Sequence, residues 1–141
     1  MKHSYKVRVY YQDTDAGGIV YHSKYLDFAE RARSELLVEM GVSNKRLIEE
    51  EGVAFVLSSA SIQYKSPARL DDVIEVQTKV KEIKNASMVM EHKFLVEGAL
   101  KVLIELKLAV INPKDLRPIR IKENLKNLFM KYYQENEEND E

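Results

Sequence analysis

The sequence predicts an α+β fold in which an antiparallel sheet of about five strands wraps around one long central helix, with an amphipathic helix near the C-terminal end. Three observations predict it. Apolar residues recur at every second position in five separate segments, a single stretch from Tyr21 to Met40 carries them at helical spacing, and the turns between the later strands are short. With 141 residues, 45% of them apolar, the chain can bury one core. Positions 1–133 therefore read as a single domain, and 134–141 as an acidic tail with nothing to pack.

Each element has its own signal. Tyr5, Val7 and Val9 alternate with Lys6, Arg8 and Tyr10, the period of a half-buried strand. Tyr21, Tyr25, Phe28, Ala29, Ala32, Leu36 and Met40 then repeat at helical spacing; Leu26 and Leu37 widen the apolar sector until the helix is apolar nearly all round, and Gly41 stands where a helix would end. A shorter helix spans Ser43 to Glu51, with Ser43 as its N-cap and Gly52 closing it. Strands follow at about 53–65, 73–83, 87–97 and 101–111. Met88, Met90, His92, Phe94 and Val96 share one face of the third, and Val102, Ile104, Leu106, Leu108 and Val110 one face of the fourth. Leu125, Leu128, Phe129 and Tyr132 mark the last helix. A sheet of this size leaves an edge with unpaired backbone groups, which invites pairing with a second copy.

Composition narrows the function. The 22 basic and 23 acidic residues nearly cancel, which leaves no overall electrostatic footprint for nucleic acid or an anionic membrane. Absence of cysteine excludes a thiolate nucleophile and a disulfide scaffold and suits a reducing cytoplasm. The first ten residues alternate polar with apolar, unlike a signal peptide or membrane span. The expectation is a cytoplasmic protein without nucleic-acid partners.

The candidate site is the loop Asp13-Thr14-Asp15-Ala16-Gly17-Gly18-Ile19-Val20-Tyr21-His22, which joins a strand to the long helix. Gly17 and Gly18 allow positive φ and close approach of a ligand, and the helix N-terminus offers free N–H groups to it. Asp13 and Asp15 are also the residues that turns and caps use. For Asp15 the following glycines, Tyr21 and His22 point to a ligand that a plain cap would not need. His22 offers an imidazole or, better, its backbone N–H; His92, on an apolar strand face, reads as a hydrogen-bonded core histidine. Glu30 lies among arginines and reads as an ion-pair member. Lys84, Lys114 and Arg117 fall at strand ends, where they are solvated or hold phosphate.

The run from Val9 to His22, continuing through Tyr25-Leu26 to Glu30-Arg31-Ala32-Arg33, resembles the 4-hydroxybenzoyl-CoA thioesterase-like family of hotdog enzymes, in particular its Tol-Pal-associated acyl-CoA thioesterase branch. Tyr64-Lys65-Ser66-Pro67-Ala68 and Asp71-Asp72-Val73 extend the resemblance to nearly the whole domain. It implies hydrolysis of acyl-CoA to free acid and CoA. Asp15 would be the nucleophile on the thioester carbon, through a mixed anhydride, or the general base for water. The His22 N–H would donate to the thioester carbonyl. Gly17, Gly18 and Tyr21 would line the substrate, and Lys84 and Arg117 would hold the CoA phosphates, from a different subunit than Asp15. No metal or cofactor is called for. A homodimer or homotetramer is implied, with acyl carrier protein as a possible source of the thioester. The rival reading is a non-catalytic module that holds acyl-CoA or acyl carrier protein in a phospholipid-synthesis or envelope-associated assembly.

Overall fold

The computed structural model describes residues 2–133, so the acidic tail expected at 134–141 lies outside the described residues. Five antiparallel strands form one sheet in the order β1-β3-β4-β5-β2: β1 (His3–Arg8), β2 (Ala54–Tyr64), β3 (Val73–Ile83), β4 (Ser87–Val96) and β5 (Ala99–Ile111). All five strands lie within a few residues of where the two-residue period puts them. β3 is a central strand although it follows the edge strand β2 in sequence, because the chain crosses to β1 after Tyr64.

One face of the sheet is apolar. Val80, Met90 and Leu106 stand side by side across β3, β4 and β5, as do Val76, Phe94 and Val102, and all six are buried. Helix α1 (Lys24–Glu39) covers this face with Tyr25, Phe28, Ala29, Ala32, Leu36 and Leu37. Ala29 and Ala32 let the helix approach closely, and Tyr25 meets Phe94 edge-on at 5.4 Å. A helix apolar nearly all round does not result. Asp27, Glu30, Arg31, Glu35 and Glu39 are exposed, because the sheet covers one side of α1 only. Its first formal residue is Lys24 rather than Tyr21.

The short helix α2 (Asn44–Arg46) starts at Ser43, whose hydroxyl accepts from the Arg46 N–H at 3.3 Å, and continues as a π-helical turn, Leu47–Glu51, closed by Gly52 at φ +66°. Helix α3 (Glu123–Met130) buries Leu125 and Phe129. The chain beyond it reaches the stretch of β3 that β1 leaves uncovered, where the Val80 N–H donates to the Tyr132 carbonyl at 2.9 Å. Lys79 and Glu91 face each other on the opposite side of the sheet, 3.4 Å apart and both buried.

The core contains two polar groups beneath α1. Thr78 and His92 are opposite each other on β3 and β4, fully buried, with Thr78 Oγ1 2.8 Å from His92 Nδ1. Arg33 Nη1 lies 3.5 Å from His92 Nε2. A guanidinium only donates, so Nε2 accepts and Nδ1–H donates to Thr78. Burial, aided by the Arg33 charge, holds the His92 pKa down to about 3. Below pH 6.5 the unfolded chain therefore binds a proton that the folded one refuses, so stability falls as the pH drops towards about 3. Urea unfolding of the parent should lose up to about 1.4 kcal/mol more per pH unit below 6.5 than that of His92→Gln. Parallel curves for the two proteins would contradict this.

Candidate active site

The loop between β1 and α1 is a tight hairpin. The Asp15 N–H donates to the Ile19 carbonyl at 2.9 Å, the Gly18 N–H to the Asp15 carbonyl at 3.0 Å, and the Tyr21 N–H to the Asp13 carbonyl at 3.0 Å. Gly18, at φ +78°, makes the turn possible, and Gly17 is constrained differently: a Cβ there would come within 3.3 Å of Asp15 Oδ1.

The two aspartates have separate tasks. Asp13 is buried; Oδ2 accepts from the Tyr10 N–H at 2.8 Å, and Oδ1 lies 3.2 Å from Lys24 Nζ in the first turn of α1. It is a structural clasp. Asp15 is half-buried, and Oδ1 accepts from the Gly17 N–H at 2.8 Å and the Ile19 N–H at 3.4 Å. Among the described residues, no hydrogen bond reaches its Oδ2, which leaves one carboxylate oxygen on a fixed mount.

The start of α1 supplies donors. Ser23 provides no side-chain cap, and the first bonds of the helix run from the N–H groups of Lys24, Tyr25 and Leu26 to the carbonyls of Tyr21, His22 and Ser23. Among the described residues, the N–H groups of His22 and Ser23 meet no acceptor. They sit at the positive end of the helix dipole, where a developing oxyanion is stabilised. The His22 imidazole is occupied otherwise: it stacks on Tyr64 with centroids 4.2 Å apart, and Tyr64 Oη donates to the His22 carbonyl at 3.3 Å. Ile19, Val20, His22, Tyr25, Tyr64 and Pro67 line a cavity of ≈ 240 Å³. The Tyr25 hydroxyl is fixed by the Ala68 N–H at 3.1 Å, and burial raises its pKa.

The other residues singled out in the sequence separate into two groups. Gly17, Gly18 and Tyr21 belong to the hairpin and the turn into α1, and Tyr21 is half exposed. Lys84 and Arg117 are not brought to it within one chain. The hairpin follows Arg8, which is opposite Val73 at the start of β3, whereas Lys84 follows Ile83 at the other end of that 11-residue strand, about 36 Å away. Arg117 is at that far end too, its carbonyl accepting from the Asn112 N–H just after β5. Lys84 pairs with Glu82 at 3.3 Å. Glu30 makes no ion pair among the described residues; its Oε1 accepts from Ser34 Oγ at 3.5 Å. The contact of Arg33 with His92 carries no sequence signal, since charge alone does not show that a guanidinium is half-buried against a core histidine.

The sequence profile of the thioesterase-like superfamily matches residues 9–129. The chain belongs to this superfamily. It is 38% identical over 126 residues to the acyl-CoA thioesterase YbgC of Haemophilus influenzae, an alignment covering 89% of this chain and 93% of that one. It is 41% identical over 113 residues to the acyl-CoA thioester hydrolase YbgC of Escherichia coli, covering 79% and 84%. The crystal structure of a probable thioesterase from Bartonella henselae superimposes with a TM-score of 0.83 at 34% identity, covering 86% of this chain and all of that one. The hotdog layout expected from the sequence is that of these relatives.

The contrast between the aspartates is testable through stability. Asp13→Asn removes the charge that balances the partly buried Lys24 ammonium and should lower the unfolding free energy by about 1–3 kcal/mol. Asp15→Asn keeps the turn-forming oxygen and should stay within about 0.5 kcal/mol of the parent. Urea titrations of both variants decide, and equal losses would contradict the assignment.

Proposed function

We infer that this chain is an acyl-CoA thioesterase in which Asp15 supplies the carboxylate and the His22 N–H the oxyanion donor. The observation that supports it most is that, among the described residues, one Asp15 oxygen and the N–H groups of His22 and Ser23 lack partners on the two sides of a single hairpin. A thioester carbonyl set on the His22 N–H gains stabilisation as its oxygen becomes negative, worth about 3–4 kcal/mol in the transition state. Asp15 either attacks the carbonyl carbon, expelling the CoA thiolate and leaving a mixed anhydride for water, or takes a proton from the attacking water. The naming of the relatives as acyl-CoA thioesterases supports the same substrate class.

The site is completed by a second copy. β2 is an edge strand whose Tyr64 end lies against His22, while its Ala54 end, opposite Ile111, lies at the Lys84 and Arg117 end of the sheet. Antiparallel pairing of two β2 edges carries the far end of one copy to the Asp15 end of the other. That arrangement offers Lys84 and Arg117 to the CoA phosphates of a neighbour's site. The reading is of a homodimer or homotetramer in the cytoplasm, acting in association with the Tol-Pal system and open to acyl carrier protein thioesters as well as acyl-CoA.

Thiol release from a panel of acyl-CoAs tests the chemistry. Asp15→Asn should lose at least about a hundredfold in kcat with little change in acyl-CoA affinity, and His22→Ala far less, since its backbone donor remains. Light scattering on the same samples should show at least a dimer. Near-parental hydrolysis by Asp15→Asn would replace this mechanism with the binding-module reading.

A further inference from the structure

A second polar site lies further along α1, above the apolar core. His22, Leu26, Arg33 and Leu37 form the flank of α1 that faces β2: His22 stacks on Tyr64 at one end of that strand, and Leu37 shares a cavity with Phe55 at the other. Ile62, half-buried and pointing to the same side of the sheet, lies between them. Helix and edge strand therefore run antiparallel, with one cavity at the hairpin end and a second at the far end of the same helix–strand seam.

The second cavity, of ≈ 70 Å³, has an apolar floor and a polar rim of Glu30, Arg33, Ser34 and Asn44. Arg33 is half-buried, and that burial lowers its pKa, with Glu30 acting in the opposite sense. Its guanidinium has five donors, and among the described residues its sole hydrogen-bond contact is the long 3.5 Å one to His92, a neutral ring. The guanidinium is half-buried and lines the cavity, so its spare donors are in reach of an acceptor placed there. On the opposite rim Asn44 Nδ2 donates to Ser34 Oγ at 2.9 Å, and Ser34 Oγ to Glu30 Oε1 at 3.5 Å, which orients the Glu30 carboxylate. The rim thus combines one cation with one anion.

We propose that this cavity recognises a hydroxyl group at the distal end of the substrate's acyl chain, accepting from Arg33 and donating to Glu30. A free carboxylate suits the site less, because Glu30 repels it, and a bare methyl offers the Arg33 donors no acceptor. The reach agrees. His22 and Arg33 are 11 positions apart, about 16 Å along the axis, and the Arg33 side chain leans back towards the N-terminus, which leaves about 10–12 Å from the donor to the guanidinium. With C–C bonds of about 1.5 Å in zigzag, a chain of about eight to ten carbons spans that gap. The inference rests on the thioesterase reading, since the hairpin fixes the other end of the chain.

The experiment compares decanoyl-CoA, 10-hydroxydecanoyl-CoA and the mono-CoA thioester of decanedioic acid. In the parent, kcat/KM should favour the hydroxylated chain over decanoyl by at least about tenfold, the worth of one hydrogen bond to a charged group. Arg33→Met should abolish that ratio, and Glu30→Gln, at an exposed position, should reduce it. The same ratio should appear in the dissociation constants of the Asp15→Asn protein, measured by calorimetry without turnover. Equal constants for the hydroxylated and plain chains, or a preference for the carboxylated chain, would overturn the proposal. So would an Arg33→Met protein that loses its assembly in gel filtration yet keeps the ratio, which would make Arg33 an interface residue. If the parent releases no thiol from any of the three, the hydrolase reading falls, and the dissociation constants alone still decide the hydroxyl site.

Discussion

The candidate active site depends on the buried carboxylate of Asp13. It binds the Tyr10 N–H at the end of β1 and the Lys24 ammonium at the start of α1, and its own carbonyl accepts from the Tyr21 N–H. Strand, hairpin and helix are joined at one residue. That clasp, together with the hairpin's own bonds, sets the distance between the Asp15 carboxylate and the N–H groups at the head of the helix, and a carboxylate useful for acyl transfer must be held to within a fraction of an ångström. The ion pair is sheltered because Asp13 is buried, while Asp15, two residues on, is half-buried.

The sheet sets the second constraint. Its order, β1-β3-β4-β5-β2, puts the hairpin at one end and the turns after β3 and β5 at the other, a strand length apart. A single chain cannot apply both ends to one small substrate. In the proposed assembly, two β2 edges paired antiparallel would bring the opposite ends of two copies together over one CoA.

Much of this was legible in the sequence, for physical reasons that differ from element to element. The strands were clear because one face of an antiparallel sheet is dry, so Met88, Met90, Phe94 and their partners on β5 had to alternate. The hairpin was visible through Gly17, Gly18 and the two aspartates, with Asp15 singled out by the glycines after it, but the clasp that Asp13 makes was not, since its burial follows from the fold around it. The polar outer side of α1 was misread: spacing shows which residues can share a face, not how much of the helix the sheet covers. The buried Lys79–Glu91 pair and the Arg33–His92–Thr78 group were hidden because each is made by residues brought together from different elements, and charged residues are ordinarily assigned to the surface.

The central claim is that the thioester carbonyl sits on the His22 N–H beside Asp15. It is tested most directly by NMR of the 15N-labelled protein with a non-hydrolysable acyl-CoA analogue, in which a methylene separates sulfur from the carbonyl. The account predicts that the His22 amide proton moves downfield as the carbonyl accepts its hydrogen bond, with Ser23 and Gly17 perturbed beside it and the α3 amides unchanged. Binding of the analogue with the His22 amide unmoved would contradict it.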